Sequence, residues 1–335
     1  PAIGTLSTTA GPLEIDLLQV DGAVKSISTK GGGASGTWTA ASFGTIAVSG
    51  GDFAVDLQAT AAAATLGKTL AVGKLTVSTG GASGTWTAAS FGTIGISGGD
   101  FAVDLQAAGV VNSISVKGGE ASGEWTADRF GTIAVSGGDF AVDLQSTATA
   151  VGLGKTAAVN KLTVVGGDFT GRLHALGKVG TLQVSKDKAG LGGSLRNTQV
   201  VAGSFGTFAL GVDLADSRIL AGANLGADLE LGGTDANADT FGAGSIAKFT
   251  VGGRAQNSIV GAGLDPVDQV FRNGNDAIVG GIASKVGSFS ITGEADDDCY
   301  FRAGSWPKSV KIGGLSVNPL TDFRFLDYSP VRILD

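Results

Sequence analysis

The stretch FGTIAVSGGDFAVDLQ occupies residues 43–58 and recurs without change at residues 130–145. A third version, FGTIGISGGDFAVDLQ at residues 91–106, differs from it at two positions. Apolar residues alternate with small or polar residues in every copy, and this period of two is typical of β-strands. An active site needs only one of each group, so a stretch written three times indicates a repeated structural unit.

Alternating apolar pairs recur along the whole chain, and most lie 19–21 residues apart. Two intervals of 29 residues hold an extra piece, at 59–68 and 146–155, and two later intervals of 41 and 40 hold either two units or one unit with a large loop. The pairs begin at Leu6, Ile27, Ile46, Leu75, Ile94, Ile114, Ile133, Leu162, Leu182, Phe208, Phe249, Phe289 and Val310.

Such a unit predicts an all-β fold, a single-chain parallel β-helix (β-solenoid). Each coil has about 20 residues, since the unit is too short to hold a helix and insertions occur at fixed points of the repeat. We expect a right-handed coil with loop insertions. The predicted division is regular coils at 1–210, irregular coils with long loops at 211–300, and a final coil with a C-terminal cap or docking segment at 301–335.

The alternation predicts which side chains point into the core. In FAVDL, residues Phe53, Val55 and Leu57 face inward and Asp56 faces solvent. Neighbouring units alternate large and small residues at these positions, which fills a core without overpacking it. The inward sets are Leu13, Ile15 and Leu17, then Ala34, Gly36 and Trp38, then Phe53, Val55 and Leu57, then Ala82, Gly84 and Trp86. Trp38, Trp86 and Trp125 are therefore predicted core residues rather than a surface row that stacks on sugars.

The repeated Gly-Gly-Asp segments predict turns. Glycine supplies a positive φ, and the aspartate is expected to accept a hydrogen bond from its own backbone in an Asx turn. The turn aspartates are Asp52, Asp100, Asp139 and Asp168.

One outward position predicts a ladder of polar residues that runs from repeat to repeat. Its members are Asp16, Thr37, Asp56, Thr85, Asp104, Glu124, Asp143 and Arg172. Strands in a sheet lie about 4.8 Å apart, so Asp104, Glu124 and Asp143 would repel one another without a nearby cation. Calcium is a candidate ligand because it accepts several oxygen donors in loose geometry. A solvated acidic stripe next to Arg172 is the alternative, and no other cofactor is expected.

The composition excludes several functional classes. The net charge is −7 and lysine and arginine do not cluster, so no nucleic-acid partner is expected. No apolar run is long enough to predict a membrane span. The single cysteine, Cys299, is expected to be a buried or inert thiol, and the single histidine, His174, a surface imidazole.

The irregular segment 211–300 is the place where a catalytic or binding site could lie. No two of its charged residues have a spacing that fixes a shared face, so we expect no enzyme activity. The charged residues considered are Asp213, Asp216, Arg218, Asp228, Glu230, Asp235, Asp239, Arg254, Asp265, Asp268, Arg272, Asp296, Asp297 and Asp298.

The near-identical tandem units, the GGDF turns and the scarcity of cysteine resemble bacterial extracellular β-helix repeat proteins of the adhesin and surface-fibre class. The resemblance implies an extracellular or cell-surface structural protein, a rigid subunit of a fibre, filament or layer. We expect end-to-end self-association through the coil ends, where the residues are Ile3, Leu6, Phe323, Phe325, Leu326 and Tyr328. The alternatives are an adhesin that binds a glycan or another cell-surface ligand through loops in 211–300, and a polysaccharide lyase or hydrolase.

Overall fold

The computed structural model describes residues 2–67, 69–149, 152 and 156–326. In these residues the helical elements with defined bounds are α1 (Ala63–Leu66) and 3-10 turns at Asp235–Asn237, Gly281–Ala283 and Phe323–Phe325. No described helix is long and apolar enough to cross a membrane. The strands are β1 (Ile3–Thr8), β2 (Leu13–Lys30), β3 (Ala34–Ser49), β4 (Phe53–Ala59), β5 (Val72–Ala88), β6 (Phe91–Lys117), β7 (Ala121–Ser136), β8 (Phe140–Ser146), β9 (Val159–Val165), β10 (Arg172–Ser185), β11 (Leu195–Arg196), β12 (Gln199–Leu210), β13 (Leu214–Ala215), β14 (Arg218–Ala221), β15 (Ala223–Asn224), β16 (Thr240–Phe241), β17 (Ser245–Val251), β18 (Ala255–Gln256), β19 (Ile259–Ala262), β20 (Leu264–Asp265), β21 (Ala277–Ile278), β22 (Lys285–Val286), β23 (Phe289–Ile291), β24 (Tyr300–Ala303), β25 (Val310–Ile312) and β26 (Leu315–Val317).

The fold is all-β, as the period of two predicted. One sheet contains 19 strands, and a smaller sheet joins β11, β13 and β18. Nearly all pairs are parallel, and the antiparallel exceptions are the local pairs β15–β16, β20–β21 and β25–β26.

The apolar pairs found in the sequence lie beside one another in parallel register. Leu6 lies beside Ile27, Ile27 beside Ile46, and the series runs to Ile94; a second series runs from Ile114, also in β6, to Phe289 beside Val310. We call this set of residues, which begins at Leu6 and ends at Val310, row 1. The pairing confirms that each sequence repeat covers the next.

A second set of inward residues runs parallel to row 1. Ala34 lies beside Phe53, Phe53 beside Ala82, and Ala82 beside Phe101, and the series reaches Ala295. We call this set row 2. The predicted alternation of large and small residues is confirmed, because the alanine of one repeat faces the phenylalanine of the next.

Aromatic rings fill the interior between these repeats. Trp38, Trp86 and Trp125 are fully buried, which confirms their predicted core role. Each tryptophan packs on a phenylalanine of the neighbouring repeat, as in Trp38–Phe53, with ring centroids 5.4 Å apart, and Phe53–Trp86, at 5.6 Å. Such pairs add about 0.5–1.5 kcal/mol each beyond the area they bury.

The tryptophan repeats contain a backbone irregularity with its own hydrogen bonds. Gly84 has φ +114°, and the regular β4–β5 register is interrupted between Ala54–Ser83 and Leu57–Trp86. The N–H of Thr85 donates to Asp56 Oδ1 at 2.9 Å, and Trp86 Nε1 donates to the Val55 carbonyl at 3.0 Å. The side chains thus satisfy backbone groups that the ladder does not, as buried polar groups require.

The first tryptophan repeat lacks this arrangement. A register shift between Glu14 and Leu17 puts Leu17 beside Thr37 and Leu18 beside Trp38. Leu17 is 64% exposed, so its predicted inward position is wrong, and Asp16 does not occupy the predicted ladder position beside Thr37. The extra residue of a β-bulge shifts the alternation, so residues predicted to face the core point to solvent until the regular pairing resumes.

The turn aspartates bond to the next repeat rather than to their own turn. Asp52 Oδ1 accepts from the N–H of Gly81 at 2.8 Å, and Asp100 Oδ1 accepts from Glu120 at 2.9 Å. Asp139 and Asp168 accept in the same way from Asp168 and Ser194. The predicted Asx turns are therefore wrong: the glycines form the turn, while the carboxylates tie consecutive repeats together.

The C-terminal segment, as far as residue 326, packs against the core through Phe325. Phe325 is 3% exposed and contacts Trp306, with ring centroids 4.8 Å apart. Of the residues predicted to support end-to-end contact, Phe325 is thus buried in its own chain, whereas Ile3, Leu6, Phe323 and Leu326 are partly exposed. Tyr328 lies outside the described residues.

Candidate functional site

The long insertions leave the sheet at one corner. Residues 222–244 separate β14 from β17, and residues 263–284 separate β19 from β22. Phe208 nevertheless lies directly beside Phe249, and Phe249 beside Phe289. The 41- and 40-residue intervals are therefore one repeat each with a large loop.

These two loops cover outward-facing apolar residues. Val201 and Leu220 lie side by side on β12 and β14, and each is 1% exposed. They belong to a second buried cluster with Leu225, Leu264 and Tyr300, separate from the main core. The loops pack on these outward apolar residues because burying each such side chain contributes about 1.5–3 kcal/mol to the stability of the folded chain.

His174 continues this outward series and anchors the first loop. It lies beside Val201, and its Nε2 accepts a hydrogen bond from the N–H of Leu225 at 3.3 Å. The side chain is 4% exposed, so the predicted surface imidazole is wrong. Burial lowers the pKa of His174, and the Asn224 side chain opposes this effect only partly.

A motif that the sequence analysis missed forms the adjoining corner. Asn or Asp followed by Ser or Thr recurs as Asn197-Thr198, Asp216-Ser217 and Asn257-Ser258. The first residue of each pair has φ between +41° and +50°, a conformation that Asn and Asp tolerate best after glycine. Asn257 Nδ2 donates to Asp216 Oδ1 at 2.8 Å, which links two of these corners. The shared continuation, three residues and then Ala-Gly, was the available signal.

The hydroxyl residues of this motif form a buried stack beneath the corner. Ser217 Oγ donates to the Ala215 carbonyl at 2.6 Å and accepts from the N–H of Thr198 at 3.3 Å. Ser258 Oγ repeats the pattern toward the N–H of Ser217. Cys299 occupies the next position and is fully buried, as predicted, and burial raises the pKa of its thiol far above the usual range.

A cleft lies between the second loop and this corner. It encloses about 440 Å³ and is continuous with a smaller cleft of about 270 Å³, since Asp216 and Arg218 line both. The larger cleft is lined by Asp216, Ser217, Arg218, Asn257, Ile259, Phe271, Arg272, Asp298 and Tyr300. The smaller one adds Arg172, Asn197, Thr198, Gln199 and Glu230.

The three arginines of the cleft differ in how they are held. Arg172 Nη1 lies 2.5 Å from Glu230 Oε1, so its charge is partly balanced. Arg272 donates to the Asp297 carbonyl at 2.7 Å, and its guanidinium stacks near the Tyr300 ring. Arg218 lies 6.0 Å from the Phe271 ring centroid and forms no ion pair with a described residue. Arg218 is thus the cation best placed to meet a ligand.

Hydrogen bonds to Asp276 hold the part of the cleft formed by Tyr300 and Arg272. Tyr300 Oη donates to Asp276 Oδ2 at 2.6 Å, and the N–H of Arg272 donates to the same oxygen at 2.7 Å. This network fixes the second loop against β24. The cleft therefore presents the Arg218 guanidinium, the Phe271 ring and several amide and carboxylate groups beside this network.

The predicted charged residues of 211–300 separate into groups. The structure brings Asp216, Arg218, Arg272 and Asp298 together around the cleft. Asp213 instead accepts from the N–H of Arg254 at 2.8 Å, a bond between repeats. Asp239 and Asp265 lie in the loops, and burial raises the pKa of each.

The residues of the predicted acidic ladder lie in adjacent repeats, and the carboxylates of Asp104 and Asp143 accept backbone hydrogen bonds from the next repeat. Asp104 Oδ1 accepts from the N–H of Glu124 at 3.0 Å, and Glu124 lies beside Asp143. Asp143 Oδ1 accepts from the N–H of Arg172 at 3.2 Å. No group of three or more His, Cys, Asp or Glu side chains in the described ranges is arranged to hold a metal ion. Calcium binding at Asp104, Glu124 and Asp143 stays a prediction.

Comparison with known proteins adds no family assignment. No protein-family model, curated protein or solved structure matches this chain.

Proposed function

We propose that this chain is a parallel β-solenoid of about 20 residues per coil, right-handed, that acts as a rigid subunit of an extracellular fibre, filament or surface layer. The observation that carries the proposal is the parallel register of row 1, from Leu6 to Ile94 and from Ile114 to Val310. Each coil covers the apolar face of the next, so length and stiffness follow from repetition. At about 4.8 Å per coil, 13 coils give a shaft on the order of 60 Å long.

The proposed assembly runs end to end through exposed strand edges. At the C-terminal end the outermost described strand is β26, which carries Leu315 at 72% exposure, and Leu320 follows it at 83%. Edge strands with exposed apolar residues favour strand addition by a second chain. The extracellular location and the adhesin-like class rest on the sequence resemblance. The proposal expects no turnover of polysaccharides.

Electron microscopy and sedimentation over a concentration series test this assembly. We expect filaments or linear oligomers of the wild-type protein, and their loss in the double variant Leu315→Lys/Leu320→Lys, because edge lysines oppose strand addition. Leu191→Lys is the matched control, since Leu191 is 63% exposed in a turn away from the ends. Isolated short rods at every concentration would contradict the assembly proposal.

The cleft favours a second candidate function, glycan binding by an adhesin. Arg218 without an ion-pair partner, the Phe271 ring and the Asn257 and Asp216 side chains offer the mixed polar and aromatic contacts that sugars require. A glycan array with the wild-type protein and Arg218→Ala tests it, with Arg129→Ala as the control outside the cleft. Release of reducing ends or unsaturated products from a polysaccharide would instead favour the lyase or hydrolase alternative.

A further inference from the structure

The outward residues beside row 1 form a face without carboxylates. The residues directly before and after each row 1 position, from Thr5 to Ser290, are serine, threonine, alanine, glycine, glutamine and lysine. We call this surface, together with the next outward residue of each strand, the lysine face. Its exposed lysines are Lys30, Lys74, Lys117, Lys161 and Lys248. None of them forms an ion pair with a described residue.

The outward residues beside row 2 carry the opposite charge. The charged residues at these outward positions are all acidic, and no lysine or arginine occurs among them. This holds for the row 2 portions of β3 to β8. We call this surface the acid face. Its carboxylates are Asp56, Asp104, Glu124 and Asp143, with Asp52, Asp100, Glu120 and Asp139 at the adjoining turns.

The two faces share one spacing. Lys74 and Lys161 are 87 residues apart, and so are Lys30 and Lys117 on one face and Asp56 and Asp143 on the other. By the register, four repeats separate the members of each pair, which corresponds to about 19 Å along the stack. Charges on the two faces can therefore match at several points at once.

We propose that the lysine face of one copy docks side by side on the acid face of a second copy. The proposal rests on the proposed solenoid, in which the two faces point to different sides of one core. Docking two different faces is a heterologous contact, and a heterologous contact that does not close produces an open array. Shafts would then join laterally as well as end to end, which gives a sheet-like layer.

The area and charge of the faces suit a weak contact that repeats. The acid face spans six stacked strands, and each contributes a length of about five residues. This gives a contact area on the order of 500 Å² per partner, which is the size of weak or transient interfaces. The hydroxyl and alanine side chains between the lysines are short, so two such faces can approach closely.

Carbodiimide cross-linking tests the contact directly, because it joins a lysine amine to a carboxylate only when the two are in contact. We expect intermolecular peptides that link Lys74 or Lys161 to Glu124 at low salt (about 0.02 M), and their loss at about 0.5 M, where charges are screened. Charge reversal at Lys74→Glu/Lys117→Glu/Lys161→Glu should reduce the cross-linked dimer about tenfold or more, since like charges then face one another.

A charge-swap partner makes the test specific. The variant Gln58→Lys/Gln106→Lys/Glu124→Lys replaces one carboxylate and two neutral side chains of the acid face with lysines, which weakens that face as a partner. Mixed with the lysine-face variant it should form dimers that neither variant forms alone, because its intact lysine face can meet the intact acid face of the other variant. Lys188→Glu/Lys285→Glu/Lys308→Glu carries the same charge change away from both faces and should behave like wild type. The proposal would be overturned if charge reversal on the lysine face left the amount of cross-linked dimer unchanged. It would also be overturned if mixing the two variants did not restore the dimer.

The outcomes separate lateral docking from end-to-end assembly. The Leu315→Lys/Leu320→Lys variant leaves both faces unchanged, so its lysine-to-glutamate cross-links should persist even if filaments disappear. Cross-links that require an intact β26 would show that the faces do not associate on their own. A wild-type protein that forms filaments without any face-to-face cross-link would likewise contradict lateral docking while leaving the end-to-end proposal standing.

Discussion

The repeats at 34–146 and those at 195–303 have the same inward pattern but different outward residues. In the first region the outward positions that flank the inward Leu57 are Asp56 and Gln58, both exposed. In the second region the equivalent outward column holds Val201 and Leu220, which the long loops bury. The inward residues of the strands thus specify how the repeats stack. The outward residues determine whether a loop can pack on the strands and form a cleft.

The insertions of the two regions also differ in what they bury, although both follow the strand at the same position of the repeat. Residues 60–71 follow β4 and contain α1, which has no buried residue. Residues 222–244 follow β14 and supply Ala223 and Leu225 to the second buried cluster. The stacked repeats tolerate an insertion at this corner in both regions. Of these two insertions, only residues 222–244 contribute side chains to the second buried cluster.

Deletion of the insertions should give the largest effect. Removing 223–244 joins Gly222 to Ser245, giving LAGS, which matches the uninterrupted VAGS at 201–204. We expect row 1 pairing to survive while Val201 and Leu220 become exposed, at a cost of about 1.5–3 kcal/mol each. Urea unfolding and binding of a dye specific for apolar surface measure the loss.

The matched control removes residues 61–70 from the regular region. This leaves Ala71 before Val72 and restores a 19-residue interval, so stability should stay within about 1 kcal/mol of wild type. Equal destabilisation by the two deletions would mean that the outward apolar residues do not distinguish the regions.

The tryptophans allow a finer comparison within the regular region. Trp86→Phe removes the hydrogen bond to the Val55 carbonyl and leaves a buried acceptor, at a cost of about 1–3 kcal/mol beyond the change in packing. Trp38 Nε1 is buried without a hydrogen-bond partner, so Trp38→Phe should cost less by that amount. The midpoint of urea unfolding for the two variants gives the difference, and equal midpoints would rule out a stabilising role for the indole hydrogen bond.

His174 predicts a pH dependence confined to the irregular region. Its pKa in the folded protein lies below 6.5, so the unfolded chain binds more protons as the pH falls, and stability decreases as the pH drops below 6.5. Protonation also turns the Nε2 acceptor into a donor that faces the N–H of Leu225. The protection factor of the Leu225 amide, which is its intrinsic exchange rate divided by the observed rate, should fall between pH 7.5 and 5 in wild type and change less in His174→Asn; the same fall in both would exclude the imidazole as the cause.

Metal removal should have the smallest effect. The Asp104 and Asp143 carboxylates of the acidic ladder already accept backbone N–H groups, so a chelator is expected to change Tm by less than about 1 °C. A clear fall in Tm with chelator, reversed by calcium and absent in Glu124→Gln, would instead establish the calcium ladder at Asp104, Glu124 and Asp143.

Much of the fold could be predicted because its repeat is written in the sequence. Row 1 and the buried tryptophans follow from a period of two and a fixed spacing, which are local properties. The errors occurred where one inserted or rotated residue changes the register, as at Leu17, and where a side chain bonds across repeats, as at Asp52. Those partners lie about 20–30 residues away in sequence, and a pattern within one repeat does not specify them.

The cleft could not be predicted, since its residues come from three consecutive repeats and a loop. Arg218 and Phe271 are 53 positions apart in the chain, and only the docking of residues 263–284 brings them together. The Asn-Thr, Asp-Ser and Asn-Ser pairs were visible in the sequence, but insertions of different length hid their common spacing.

The sequence by itself determined the repeat and most of the inward residues, because both depend on periodicity along one chain. Only the tertiary structure decided that His174 is buried, that the long intervals are loops rather than extra repeats, and that Arg218 faces a cleft. These features depend on which surfaces meet after the repeats have stacked, and contact between surfaces is set by burial and hydrogen bonding across distant segments.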